Sequence, residues 1–179
     1  SRAEVHRLVE ALRSLGEPWS NVQIVATAEH IGVREGRRIK GLYEVTIDDL
    51  RKSKEHEDAV CRVTFPIDVH ATDPSKEKGI ERADFRVKYY DIPYRALVAK
   101  DVQGLLTAGR CISGDFIAHS SYRVTGNAVP MGETAGVAAA LVAQSNRVPS
   151  ELPWKEILAA REQLRARMAE RSHTTNGQQ

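Results

Sequence analysis

The stretch Met131-Gly132-Glu133-Thr134-Ala135-Gly136-Val137-Ala138-Ala139-Ala140 limits what this chain can fold into more than any other part of it. At helical spacing it puts small residues on nearly every face, and Gly132, Gly136 and Ala140 fall on one stripe. Each glycine inside a helix costs about 1 kcal/mol relative to alanine, so something must compensate by approaching the backbone very closely. Pro130 reads as the opening residue of this helix, which the pattern carries to Gln144, with Glu133 in its first turn at the positive end of the helix dipole. Upstream, residues Gly104 to Gly109 read as a short buried strand ended by glycine. Ala108, Gly109, Arg110 and the helix N-terminus would then converge, and such a terminus seats an anion or a partly anionic ring. Tight packing of a helix on a sheet accounts for the same small residues. Spacing alone leaves both readings open.

Composition narrows the classes. With 179 residues, 41% hydrophobic and 28% charged, the chain has ordinary globular usage and enough length for one core or two small ones. Lys plus Arg is 26 against 24 for Asp plus Glu, a net charge of +2 that argues against a general nucleic-acid binder. Cys61 and Cys111 make neither a disulfide framework nor a metal set, and Cys111 is expected to pack as a small buried hydrophobe. They fit a reducing, cytoplasmic setting. No apolar run approaches the ~20 residues of a membrane span, and no signal-peptide pattern opens the sequence.

Val5, Leu8, Val9, Leu12 and Leu15 have helical spacing, and Gly16 and Pro18 stop that helix. A chain that opens inside a helix is expected to be part of a larger polypeptide. Strands are expected over Asn21–Ala28, Ile39–Ile47, Ala59–Val69 (bent or at an edge because of Pro66) and Phe85–Tyr90. Thr46, Asp48 and Asp49 can cap a short helix running to Ser53. Ala71–Lys78 and Arg110–Asn127 read as polar loops, and Pro153 opens a last helix, Trp154 to Arg171, before a polar tail.

Several motifs resemble the FAD-dependent oxidoreductases of the glutathione-reductase-like superfamily. They are Leu105 to Ser113, Ala118 to Val124 and Met131 to Gly136, which look like the C-terminal flavin-binding segment of those enzymes. Gly32 to Gly41, Pro66 to His70 and Tyr90 to Leu97 match the same group in the same order. The resemblance implies an α+β or α/β chain. A mixed substrate-side sheet would occupy residues 1–98, the closing strand and helix of a Rossmann-type FAD domain residues 99–149, and a C-terminal helix and tail residues 150–179. It implies FAD as cofactor, a small organic substrate, and electron transfer between the two. Ala108, Gly109, Arg110 and Ser113 would run near the ribityl and pyrophosphate, and Met131 and Gly132 would meet the N1/C2=O edge of the flavin ring. Arg123 would position the flavin or a substrate carboxylate. The N-terminal Gly-x-Gly-x-x-Gly turn of that family is nowhere in the sequence. The expected partner is therefore the missing FAD-binding half, or a second copy. Gly36 and Gly114-Asp115-Phe116 also depart from the family's usual residues.

The catalytic candidates are His119, His70 and Asp68. His119 lies between the flavin-approaching segment and Ser120-Ser121, and Asp68 and His70, two apart on a strand, would share a face and form an orienting pair for proton transfer. Arg34, Arg37 and Arg38 can hold an anionic substrate or the flavin, although Glu35 among them points to pairing for at least one. Tyr94 and Arg95 are placed on the substrate side. Two rivals stand beside this reading. One is a hydrolase using Asp115, His119 and Ser120, for which no Gly-x-Ser-x-Gly elbow exists. The other is an inactive interaction module that pairs with the missing domain or another chain.

Overall fold

Helix signals dominate the first unit of the chain, residues 1–33. The computed structural model describes residues 2–30, 32–69 and 85–176. Helix α1, Arg2–Ser14, forms where the apolar spacing predicts it, and Gly16 takes φ +77° just beyond its end. The Arg13 guanidinium donates through Nε to the Val22 carbonyl at 2.8 Å and folds the following turn back on the helix end. None of α1 is buried within this unit. The strand expected over Asn21–Ala28 does not form, and Val25 is 98% exposed. A strand needs a neighbour for its backbone groups, and the described residues of this unit contain none.

The second unit, residues 34–179, holds the core. Helix α2, Ile47–Lys52, starts at Thr46, whose N–H donates to the Asp49 carboxylate at 2.9 Å. It ends at Ser53 in the left-handed region, with φ 50°. Strands β1, Ala59–Val63, and β2, Tyr90–Pro93, pair antiparallel, with Val63 opposite Tyr90 and Cys61 opposite Ile92. A bulge falls between Ala59 and Cys61. Helices with one small antiparallel sheet bear out the α+β expectation, but the extended strands do not appear. Gly41 and Val45 make isolated bridges to Ala99 and Gly114, and β1 stops before Pro66, whose ring lacks a donor for a ladder. His70 and the loop Ala71–Lys78 lie outside the described residues.

Two corrections bear on the site. Residues 104–109 form no strand: Gly104 turns at φ +77°, and Leu106 alone bridges Val98. Helix α4 spans Thr125–Ser145 rather than starting at Pro130, and α3, Phe116–Tyr122, occupies part of the expected loop. Pro130 is tolerated in the second turn of α4, where its missing N–H removes one bond to the Gly126 carbonyl. Glu133 is therefore well inside the helix. It pairs with Arg165 at 2.6 Å and with buried Arg161 at 3.3 Å, tying α4 to α5, Trp154–Asn176. The core joins β1, β2, α3, α4 and α5 through residues such as Val63, Tyr90, Ile92, Tyr122, Met131 and Ile157, all fully buried.

Candidate functional site

Asp115 builds the site from its base. One carboxylate oxygen accepts the Ala118 N–H at 2.7 Å and caps α3, while the other accepts the Ile47 N–H at 2.7 Å and ties α3 to the start of α2. One turn into α3 sits His119, with no exposed surface. Its ring stands edge-on to Tyr122, with centroids 5.4 Å apart, and neither nitrogen makes a hydrogen bond of good geometry. Burial, then the charges of Arg38 and Arg123, hold its pKa below the usual histidine value; Glu35 and the Arg110 backbone pull weakly the other way. His119 is thus a buried imidazole biased toward its neutral form, with no side-chain hydrogen-bond partner on either nitrogen.

Arg123, one helical turn beyond His119, is 6% exposed. It contacts the Glu35 carboxylate through Nη1 and donates through Nη2 to the Asp68 carbonyl at 2.7 Å, and its Nε has no partner. The Asp68 carboxylate lies 3.0 Å from Arg34 and 3.8 Å from Arg123. Arg38 donates through Nε to the Gly114 carbonyl at 2.9 Å. Of the predicted residues, Arg123 and Asp68 therefore meet, with His119 one helical turn before Arg123, although Asp68 lies beyond β1 rather than on a strand. Its proposed companion His70 is outside the described residues. The anticipated pairing of Glu35 is real, but its partner is Arg123, not a neighbouring arginine.

The cofactor candidates divide. Gly109 opens a tight turn through Cys111 at φ +67°, and an added Cβ would meet Ala128 of α4 at 3.4 Å. Arg110 and Cys111 on that turn are exposed, which corrects the expectation of a buried Cys111. Cys61, by contrast, is half-buried, and burial pushes its thiol up to about 12. Ala108 is half-buried beside the turn. Ser113 is spent on packing, its N–H donating to Ala96 at 3.0 Å and its carbonyl accepting from Val45 at 3.2 Å. Met131 and Gly132 do not share a surface at a helix start. Met131 is fully buried in the core, while Gly132 is exposed with nothing within 4 Å of an added Cβ.

Tyr94 and Arg95 line a separate concavity of about 690 Å³ with His56, Asp58, Trp154 and Lys155. Arg95 is committed there to a fork on Asp58, at 3.0 and 3.2 Å. The hydrolase rival fails on geometry, since Asp115 is a cap and the Ser120 hydroxyl donates to the Ile117 carbonyl rather than to His119. Among the described residues no cluster suits a metal, and no helix is long and apolar enough to cross a membrane. Arg38 and Asp115 are the members whose roles sequence reasoning missed. Asp115 could have been found as an N-cap four residues before a histidine, whereas nothing local links Arg38 to Gly114.

A family model described as FAD dependent oxidoreductase matches residues 1–167. No curated protein and no solved structure matches the chain.

Proposed function

The chain belongs to the FAD dependent oxidoreductase family, and from that premise we propose that it forms the substrate side and one wall of the flavin site in a two-part enzyme. Residues 1–98 would face the substrate, residues 99–149 the flavin, and residues 150–179 would buttress α4. The family is FAD dependent, so the fit of the residues to that group bears on this reading. The turn at Ala108, Gly109 and Arg110 and the uncovered face of α4 at Gly132 and Gly136 fit it, because glycine and alanine leave room for a flat ring or a second backbone. FAD, when bound, supplies acceptance of an electron pair from a small organic substrate.

The protein's share is orientation and proton handling. The observation that carries this reading is His119, wholly buried with both ring nitrogens unpartnered. A buried polar group left unsatisfied costs about 1–3 kcal/mol, a cost that a catalytic or ligand-binding role explains. His119 would take or return a proton at Nδ1 or Nε2, Arg123 would orient the substrate beside it, and Asp68 would hold Arg123 in place. The pyrophosphate half of the cofactor would be held by a dinucleotide-binding segment, since no Gly-x-Gly-x-x-Gly turn occurs in these 179 residues.

Flavin fluorescence during an FAD titration tests this, with the chain alone and with a separately supplied dinucleotide-binding half. Binding by the chain alone, or only after the half is added, supports a flavin wall here. No binding in either state overturns it and favours the interaction-module reading, which the exposed small-residue face of α4 also supports.

A further inference from the structure

The segment that leads into β2 is an open sheet edge. The ladder to β1 ends with Val63 opposite Tyr90. Before that pair, side chains alternate between half-buried at Phe85, Val87 and Tyr89 and exposed at Arg86 and Lys88, the period of an extended chain. Beyond the ladder, and among the described residues, the backbone groups of residues 85–89 make no hydrogen bond. Asp91 shows which side is open, because its N–H turns away from β1 and donates to the Lys54 carbonyl at 2.9 Å. Groups two apart along an extended chain point the same way, so Tyr89 and Val87 present theirs on that side, past the last position that Lys54 covers.

The hollow beside this edge is cationic. It holds about 580 Å³ between residues 51–53 and residues 85–89, and among the described residues no carboxylate lines it. Two arginines there are already committed. Arg51 lies over the Phe85 ring at 5.1 Å and pairs with Asp48 at 3.3 Å, and Arg62 lies over the Tyr89 ring at 4.5 Å and pairs with Glu55 at 2.8 Å. Lys52, Arg86 and Lys88 are exposed and make no ion pair among the described residues. In a chain whose net charge is only +2, three such cations around one open edge are a local feature and not a reflection of composition. Like charges make a second copy of this edge a poor neighbour, whereas a strand bearing carboxylates suits both the backbone and the charge. We propose that residues 85–89 bind an extended acidic peptide segment of a partner protein by strand addition, its backbone on the Val87 and Tyr89 side and its carboxylates against Lys52, Arg86 and Lys88. This docking edge does not depend on the flavin reading.

The probe is a capped peptide, Glu-Val-Glu-Val-Glu, titrated into the full chain at low salt, with two controls: the same peptide N-methylated at every residue, and its Lys-Val-Lys-Val-Lys counterpart. The readout is the amide ¹H–¹⁵N shifts of residues 85–89 together with the hydrogen exchange of the Val87 and Tyr89 amides. The acidic peptide should give saturable shifts and slow the exchange of both amides, and added salt should weaken it. The basic peptide should not bind. Arg86→Glu/Lys88→Glu alters two exposed side chains, so the fold is kept, and it should weaken the acidic peptide at least tenfold; Lys52→Gln, on the other wall of the hollow, should weaken it several-fold. Equal binding of the N-methylated peptide would overturn strand addition, since charge is retained and only the backbone donors are lost. Slow exchange of Val87 and Tyr89 in the dilute, peptide-free chain would overturn the proposal by giving the edge to residues 70–84. Protection that rises with chain concentration would overturn it in favour of a second copy, and no saturable response at millimolar peptide would leave these cations as a solvated edge.

Discussion

At the scale of the residue, His119 is held neutral by burial and by two guanidinium neighbours, Arg38 and Arg123, against the weaker opposing pull of Glu35. Its folded pKa lies below the unfolded value, so the unfolded chain binds the proton more readily. The sign follows from linkage: stability is unaffected by this group well above pH ~6.5, the unfolded histidine value. It falls as pH drops below that value and levels off below the depressed folded pKa. Urea melts of the wild type and of His119→Asn between pH 5 and 8 check this. The variant should lose part of the acid-side decline, and parallel curves would show that His119 is not buried neutral. Glycines nearby leave little slack for the ring to move. An added Cβ at Gly114 would stand 2.6 Å from the Tyr122 hydroxyl, and one at Gly41 would stand 2.7 Å from the Ser113 Cβ. The wall behind His119 is thus packed backbone against ring, which fixes the imidazole without hydrogen-bonding it.

At the scale of the element, Asp115 does two things with one carboxylate, capping α3 and holding the first N–H of α2. Asp115→Ala should cost about 1–2 kcal/mol from the cap alone, and Asp115→Asn should restore most of that loss because its amide oxygen still accepts. Chemical denaturation of the two variants decides it; an alanine variant as stable as the wild type would mean the cap carries no weight. What the sequence revealed follows the same division between local and distant bonding. Helix α1 with its Gly16 stop, the Thr46–Asp49 cap of α2 and the start of α5 after Pro153 were legible because their signals lie within a few residues. The strands expected over Asn21–Ala28 and Gly104–Gly109 do not form, because a short apolar run does not say whether a neighbouring strand is present. The sequence signal of Pro130 is that of a first helical residue, whereas α4 begins five residues earlier and holds Pro130 in its second turn. In the site, His119 and Arg123 share one helical segment and could be paired by spacing. Arg123 and Glu35 are 88 residues apart, and only the folded chain joins them.

At the scale of the whole molecule, the outer face of α4 is the unresolved debt of this fold. Gly132, Gly136, Ala139, Ala140 and Ala143 are all exposed, Val129 is 66% exposed, and among the described residues nothing comes within 4 Å of a Cβ added at either glycine. Glycine at such positions only weakens a helix, so its presence makes physical sense if another surface closes on that face. Replacing both by alanine separates the two demands. In the isolated chain Gly132→Ala/Gly136→Ala meets no steric obstacle and should raise stability by up to about 1 kcal/mol per site, read from urea midpoints. In the assembly with a dinucleotide-binding half, each added methyl holds the partner or the flavin away from the backbone, and FAD affinity should fall. A variant that gains stability and binds FAD with undiminished affinity would show that nothing closes on this face, and the small residues of α4 would then have no role in the cofactor site. A gain in stability bought with a loss of flavin binding would place the wall of that site on α4, because only close approach distinguishes glycine from alanine there.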